Sequence, residues 1–570
     1  YSEIVKWSGI YYDLQSTSLF SIEALTEFEI IMGNIFRRGM RSDSTRVDLS
    51  IEAFSRSINT SREFGLKKTE GRALSGIGLT LMRIGEFGQA ADSLRKAISI
   101  WEDLRRTATG STRRDYLSKV IISYQDLVLC LVSVGDNNGV VEAIEQSKAR
   151  LLGEYLTGID SITTVTSTEH IQTKLSPDEA LILYGNADLY ELVQVAITQD
   201  TVLVIESSLS DLISKLYPDN ENATLELAVK SHRNFLKNIG PSNRTIPSSM
   251  ELYNYLIEPL EAAIGTKQNW TILPDGILGY LPFETLIDGD GKYVVESHHL
   301  RYSQSLFVWN FIKDRPYEKH KKTLLALGGA TYRPQSYEVD MIKNDRMLAY
   351  LNTTVHDSIL TRGSMSKSYA ALGYSDWSNL PWSLHEVENI SQVMNSTDLI
   401  TSESVSEEKI KVMSQTGQLA DYRIIHFATH GIVVPDLPEL SAVVLSQFGS
   451  EQSKEDGYLR ISEVSELNIK ADLVNLSACE TGLGKIYPGE GVVGLTQAFM
   501  LAGANAVSVS LWPVADEATS KFMISMYEKI ANGSTYSSAL NNTKLEFISG
   551  KFGDEYRKPY YWAPFVYYGN

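Results

Sequence analysis

The stretch YRIIHFATHG at residues 422–431 reads as a buried strand with a polar end, and it decides the fold of the second half of the chain. A short apolar run of this kind is typical of a strand covered on both faces of a parallel sheet. A second such stretch, DLVNLSACETG at residues 472–482, is the next strand of the pattern. His430 follows the first strand and Cys479 follows the second. Since the carboxyl ends of parallel strands meet at one edge of a sheet, we expect imidazole and thiol to lie close together.

Strands and helices alternate on both sides of these two stretches. The predicted strands are 323–327, 398–401, 423–428, 472–477 and 505–511. The predicted helices are 384–395, 406–417, 491–502 and 516–531. This alternation predicts an α/β region with a mostly parallel central sheet covered by helices.

The first 155 residues have apolar residues at three- and four-residue spacing, which predicts consecutive helices. In Gly71–Ile100 small and bulky residues alternate as in tetratricopeptide repeats, where small residues let paired helices approach closely. Partial copies lie at 51–58 and at 120–152, although a generic helical bundle would also fit. Three repeats suggest an array longer than this sequence. Short β-rich runs at 180–184, 193–197, 202–205 and 270–273 follow the helices. The predicted domains are helical repeats at 1–157, a β-rich half at 158–320 and an α/β half at 321–570.

The composition narrows the class of function. A net charge of −18 argues against a broad phosphate-binding face, so we expect no direct contact with nucleic acid. Two cysteines, Cys130 and Cys479, cannot form a disulfide framework, which favours a reducing, cytoplasmic setting. No run of eighteen apolar residues is present, so we expect no association with a membrane.

The residues at the two strand ends suit nucleophilic catalysis. A thiol has a pKa near 8.5, and an adjacent imidazole can take its proton and stabilise the thiolate. We therefore predict Cys479 as the nucleophile and His430 as the general base. The backbone N–H groups of Gly431 and Cys479 are the predicted oxyanion hole. We expect this chemistry to need no cofactor and no metal.

Five ordered motifs give residues 178–570 a resemblance to the CHAT domain, a caspase- and separase-like cysteine peptidase module that occurs with tetratricopeptide repeats in bacteria. The motifs are LPDG through LPFE at 273–284, HFATHG at 426–431, LSACETG at 476–482, GEGVVGL at 489–495 and SLWPVAD at 510–516. The segment EQSKAR at 145–150 resembles the helix that joins repeats to such modules.

The resemblance implies more than the spacing does. It implies an endopeptidase that cleaves a partner protein at one or few sites, a pseudo-peptidase-like first half, and a regulatory protein bound by the repeats. It also implies a setting in bacterial antiviral defence or cell death. A catalytically latent scaffold for protein interactions is the alternative. Asp516 matches an acidic residue that helps to bind a basic P1 side chain in separase-like enzymes, but it could instead cap the helix that follows. Glu480 is a further candidate for the substrate pocket.

Three patterns also have competing interpretations. Trp512 is either a core residue or a wall of the substrate cleft. His426 lies four residues before His430, but a zinc site needs at least three protein ligands and no third ligand accompanies the pair. We therefore expect His426 to be a packed strand residue with a satisfied hydrogen bond. Gly489-x-Gly491-x-x-Gly494 matches a dinucleotide fingerprint formally, yet it begins ten residues after the strand instead of directly at its end.

Overall fold

The structure is a computed structural model of the 570-residue chain. It describes residues 22–38, 45–108, 110–148, 152–153, 156, 167–185, 191–220, 222–238, 247–315, 321–332, 369, 372, 374, 377–434, 437–447, 455–477, 482, 484–487 and 491–570.

The chain divides into two compact units, one of residues 1–148 with 160–168 and one of residues 149–159 with 169–570. The first unit is helical throughout its described part. Its helices are α1 (Ile22–Arg38), α2 (Thr45–Glu63), α3 (Lys67–Arg83), α4 (Phe87–Thr107), α5 (Gly110–Val134) and α6 (Asn137–Gln146).

Consecutive helices of the first unit pack against each other in pairs. Gly85 joins α3 to α4 and Gly135 joins α5 to α6, both at positive φ, a conformation that a side chain disfavours. Small residues allow the close approach: a Cβ added at Gly78 would lie 2.8 Å from Leu94 Cγ. The helices, their order and their turns agree with the repeat interpretation.

The second unit contains the α/β region. Its strands are β1 (Glu179–Gly185), β2 (Glu191–Ile197), β3 (Val202–Ser208), β4 (Asn269–Leu273), β5 (His299–Tyr302), β6 (Lys322–Gly328), β7 (Thr397–Thr401), β8 (Tyr422–Ala428), β9 (His430–Ile432), β10 (Ala442–Val444), β11 (Tyr458–Arg460), β12 (Leu473–Leu476), β13 (Lys485–Tyr487), β14 (Gly491–Val493), β15 (Val507–Ser510) and β16 (Phe565–Tyr568). Its helices are α7 (Thr168–Lys174), α8 (Leu209–Leu216), α9 (Leu225–Asn238), α10 (Pro247–Leu256), α11 (Glu261–Ile264), α12 (Val294–Ser297), α13 (Leu306–Asp314), α14 (Pro381–Val393), α15 (Glu407–Gln415), α16 (Ile461–Ser465), α17 (Leu495–Leu501), α18 (Asp516–Ala531), α19 (Tyr536–Ser549) and α20 (Pro559–Trp562).

Eleven of these strands form one sheet, in the order β3-β2-β1-β4-β5-β16-β15-β12-β8-β6-β7. Neighbours are parallel except at β1–β2, β2–β3 and β15–β16. The boundary predicted at residue 320 falls between β5 and β6 of this single sheet, and the carboxyl-terminal strand β16 joins the two halves by pairing with both β5 and β15. The mostly parallel sheet predicted from the alternation is confirmed.

One predicted helix needs correction and several elements were not predicted. Residues 491–493 form strand β14, which pairs with β13 in a hairpin, and helix α17 begins only at Leu495. The short sheet β11-β10-β9 and strands β5 and β16 were missed, because runs of three or four residues carry too little periodicity. Among the described helices, none is long and apolar enough to cross a membrane.

Candidate active site

Strands β8 and β12 are neighbours in the sheet, so the two polar strand ends lie side by side. Leu476 pairs with Phe427, and the N–H of Ser477 donates to the Phe427 carbonyl at 2.8 Å. Ser477 precedes Cys479 by two residues, just as Ala428 precedes His430. The expected adjacency of the strand ends is confirmed as far as Ser477. Cys479 and Glu480 lie outside the described residues, and their roles stay predictions.

The His430 side chain is half-buried and contacts one backbone carbonyl and two aromatic rings. Its Nε2 lies 2.7 Å from the Ser378 carbonyl oxygen, and its ring centroid is 5.0 Å from that of Tyr332 and 4.9 Å from that of Trp377. A carbonyl can only accept, so Nε2 carries the proton and Nδ1 is the basic nitrogen of the neutral ring. Burial lowers the pKa of His430, and the hydrogen bond to Ser378 opposes this in part. The imidazole is therefore neutral at pH 7 and able to accept a proton at Nδ1.

Gly431 follows His430 as the second residue of strand β9, opposite Val443 of β10. The chain thus leaves the large sheet after β8 and enters the small sheet at once. The predicted oxyanion role of the Gly431 N–H stays a prediction.

Cys130 is the other cysteine of the chain, and its surroundings do not suit a nucleophile. It is fully buried in α5, and burial, with Asp126 nearby, raises the pKa of the thiol to about 12. A thiol of that kind is almost entirely protonated at pH 7 and is unreactive.

A cavity of about 50 Å³ opens beside the two strand ends. It is lined by Leu380, Ser383, Glu386, Thr429, Ser477, Ser510, Val514, Asp516, Thr519 and Phe565. Thr429, which immediately precedes His430 in the chain, lines this cavity, whereas His430 itself does not. Asp516 and Glu386 give it two carboxyl groups.

Asp516 does not cap its own helix. Its Oδ2 accepts the backbone N–H of Trp382 at 2.9 Å, in the first turn of α14, while the cap position of α18 is Ala515. The capping interpretation is therefore wrong for α18, although the carboxylate satisfies a free N–H at the start of another helix. Burial and the nearby Glu386 raise the pKa of Asp516, and the Trp382 hydrogen bond opposes this.

The segment 377–382 contacts both His430 and Asp516, which the sequence did not reveal. Its Ser378 carbonyl orients His430, its Leu380 lines the cavity, and its Trp382 N–H binds Asp516. A single stretch of backbone therefore fixes the predicted base relative to the cavity carboxylate.

His426 is a packed strand residue, as predicted. It is fully buried, and its Nε2 lies 2.8 Å from Oε1 of Glu386. Its Nδ1 lies 2.9 Å from Nδ2 of Asn475 and 3.1 Å from the hydroxyl of Tyr527. Both ring nitrogens are thus satisfied by protein groups.

In the part of the chain that the structure describes, three carboxylates lie close enough together to hold a metal ion: Glu407, Glu455 and Glu463. Nζ of Lys411 lies within 2.7, 2.5 and 2.8 Å of them respectively. An ammonium group therefore already occupies the position that a cation would take.

Two remaining predictions concern Trp512 and the glycine-rich segment. The Trp512 side chain is fully buried and donates its indole N–H to the Tyr560 carbonyl at 3.0 Å, and it does not line the cavity. This favours the core interpretation. Gly491 lies in strand β14 and not at a helix start, which does not fit a dinucleotide turn. Gly489 lies outside the described residues.

Comparison with known proteins gives matches over most of the chain. The profile of the CHAT domain matches residues 247–570. Tetratricopeptide repeat protein 28 of Homo sapiens is 23% identical over 89% of this chain and 24% of its own length, and the Mus musculus protein is 22% identical over 89% and 25%. The chain thus spans about a quarter of the curated relatives that it matches.

The matches among solved structures include two structures of the Saccharomyces cerevisiae separase–securin complex. The match with the larger TM-score, 0.43, has 11% sequence identity. It covers 99% of this chain and 48% of the separase–securin chain. A third match is the complex of Porphyromonas gingivalis RgpB pro- and mature domains, with 11% sequence identity and a TM-score of 0.33. It covers 57% of this chain and 69% of that one.

Proposed function

The chain belongs to the CHAT-domain family, and on that premise we propose that it is a cysteine endopeptidase with Cys479 as nucleophile and His430 as general base. The observation that supports this most is the state of His430. Its Nε2–H is fixed on the Ser378 carbonyl, so Nδ1 is the proton acceptor, and burial keeps the ring neutral. A neutral, oriented imidazole at the strand end next to that of Cys479 is what a thiol nucleophile requires.

The proposed reaction proceeds through an acyl-enzyme. His430 Nδ1 takes the proton of the Cys479 thiol, and the thiolate attacks the scissile carbonyl carbon. The N–H groups of Gly431 and Cys479 stabilise the oxyanion. The imidazolium then donates its proton to the departing amine as the C–N bond breaks, and a water molecule deprotonated by His430 hydrolyses the thioester. The Ser378 carbonyl keeps the ring in place through both proton transfers, because imidazolium and imidazole both donate from Nε2.

We further propose that the cavity beside Thr429 binds the P1 side chain and that Asp516 favours a basic one. Asp516 and Glu386 both line the cavity, and two carboxyl groups in a small, partly buried space attract a cation. Trp382 donates to only one oxygen of Asp516, Oδ2. Glu480 stays a predicted contributor.

The repeats are the proposed binding site for a regulatory protein. Large apolar side chains are exposed there, including Ile31, Ile35 and Ile122. The CHAT resemblance makes bacterial antiviral defence or cell death the proposed setting, and the identity of a neighbouring gene product would name the substrate.

The test is cleavage of a peptide library, and of proteins encoded beside the gene, by the purified chain. We expect Cys479→Ala to abolish cleavage and His430→Ala to slow it by at least about 100-fold. Cys130→Ala is the matched control, because it removes the other thiol and should leave the rate unchanged. Equal cleavage by the wild type and Cys479→Ala would contradict the proposal.

The alternative is a latent scaffold that only binds a partner. Its expected result is binding without cleavage under every activating condition, with Cys479→Ala binding as tightly as the wild type. Iodoacetamide distinguishes the two: an activated Cys479 is alkylated rapidly at pH 6.5, whereas an unactivated thiol is not.

A further inference from the structure

The segment that follows the predicted nucleophile contacts residues of both halves of the sheet. The N–H of Gly482 donates to the Ser510 carbonyl at the end of β15, at 2.9 Å. A Cβ at Gly482 would lie 2.8 Å from Val509 Cγ2, so the chain approaches β15 as closely as glycine allows. Two residues later, the carbonyl of Gly484 accepts a hydrogen bond from the hydroxyl of Tyr280.

Tyr280 comes from the first half of the unit, 204 residues before Gly484. It ends the short 3₁₀ helix Gly276–Tyr280, which follows strand β4. Burial raises the pKa of its hydroxyl, so the group is a neutral donor at physiological pH. The peptidase half therefore depends on a residue outside it to satisfy this carbonyl.

Arg233 of helix α9 lies over the ring of Tyr280. Its Cζ lies 5.4 Å from the centroid of the Tyr280 ring and 6.0 Å from that of Trp512. Its Nη2 donates to the Leu511 carbonyl at 2.7 Å, in a buried position. Arg233 and Tyr280 thus form one stacked pair. Arg233 binds the carbonyl of Leu511, just after β15, and Tyr280 binds the carbonyl of Gly484, five residues after Cys479.

The hairpin β13–β14 follows directly, with Ile486 opposite Val492. A two-stranded hairpin is marginal without tertiary support. From these contacts we propose that Tyr280, supported by Arg233, is a positioning residue that holds Gly484 and the hairpin β13–β14 within segment 482–493, and that it thereby affects the placement of the predicted nucleophile Cys479. The catalytic consequence rests on the proposed peptidase function, whereas the effect on the segment does not.

Hydrogen exchange measured by mass spectrometry on the full chain tests the effect on the segment. Tyr280→Phe removes one hydrogen bond, and we expect amides in 482–493 to exchange about three- to ten-fold faster. Tyr255→Phe is the matched control, because the Tyr255 hydroxyl donates to the Ser207 carbonyl at 2.8 Å, away from the segment. Arg233→Lys, which keeps the charge but loses the planar stacking, should produce the same local change. Unchanged exchange in 482–493 for both variants would overturn the proposal.

Kinetics on a cleaved peptide tests the consequence. We expect Tyr280→Phe to lower kcat by about three- to ten-fold with KM unchanged, whereas Tyr255→Phe changes neither. Faster exchange with an unchanged kcat would overturn the positioning role. Absence of cleavage by the wild type would count against the proposed function alone, since the exchange measurement decides the inference independently.

Discussion

The buried ion pair between Glu284 and Lys544 yields the sharpest stability prediction. Glu284 belongs to the LPFE motif and Lys544 to helix α19; their side chains are 1% and 0% exposed, with Nζ 2.7 Å from Oε1. The Tyr302 hydroxyl donates to the other oxygen of Glu284 at 2.6 Å. Burial lowers the pKa of Lys544, and the carboxylate opposes this. Each charge is therefore tolerated only because the other is present.

Lys544→Met leaves the carboxylate of Glu284 buried without its counter-ion. We expect a loss of about 3–5 kcal/mol in the free energy of unfolding of the second unit. Adding Glu284→Gln removes the remaining charge, so the double variant should be more stable than the sum of the two single changes predicts, by at least about 2 kcal/mol. Lys551→Met is the matched control, because Lys551 contacts Glu546 at 2.8 Å but is 53% exposed, and such pairs contribute less than about 1 kcal/mol.

Urea titration of the full chain, followed by tryptophan fluorescence, measures these values. The buried Trp270, Trp309 and Trp562 all lie in the second unit and report its unfolding. A loss below about 1 kcal/mol for Lys544→Met, or strict additivity in the double variant, would refute the assignment of a mutually dependent buried pair.

Three further predictions follow from other contacts. Gly482→Ala places a methyl group against Val509, so we expect the proposed peptidase activity to fall at least about ten-fold with little change in the unfolding midpoint. Full activity would show that the close approach is dispensable. Because burial lowers the pKa of His430, the acid limb of the kcat/KM profile should have its midpoint below 6.5, and a midpoint above 7 would contradict the role of a neutral base. Burial raises the pKa of Glu179, but the Ser176 N–H, Arg301 and Lys313 together outweigh it and lower the pKa from 4.5 to about 2. The stabilisation by ionised Glu179 is therefore fully present above pH 4.5 and is lost as the pH falls towards 2. Unfolding titrations should find Glu179→Gln less stable than the wild type by about 2 kcal/mol at pH 7 and equal near pH 2, and a pH-independent difference would argue against the ion pairs.

Local sequence pattern determined the longer helices and strands of this protein. Residues 67–83 and 87–107 repeat apolar side chains on one face, and residues 422–428 and 473–476 are apolar runs too short for a helix. Such patterns depend on neighbours within a few positions, so they are legible without the fold. The strand-end rule then placed His430 and the chain leading to Cys479 on adjacent strands, which the register between Phe427 and Leu476 bears out.

Only the tertiary structure decided what surrounds those two strand ends. The Ser378 carbonyl that fixes the His430 tautomer, the Trp382 N–H on Asp516 and the Tyr280 hydroxyl on Gly484 come from positions 52, 134 and 204 residues away. The Ser378 carbonyl and the Trp382 N–H carry no local signal, because a backbone carbonyl or N–H exists at almost every position. The Tyr280 hydroxyl carries none either, because its partner lies 204 residues away. They meet because the sheet brings β5, β16, β15, β12 and β8 into one order, with the last strand of the chain inserted between its two halves. The sequence therefore indicated which groups are candidates for the chemistry, whereas the order of the strands decided which groups surround them.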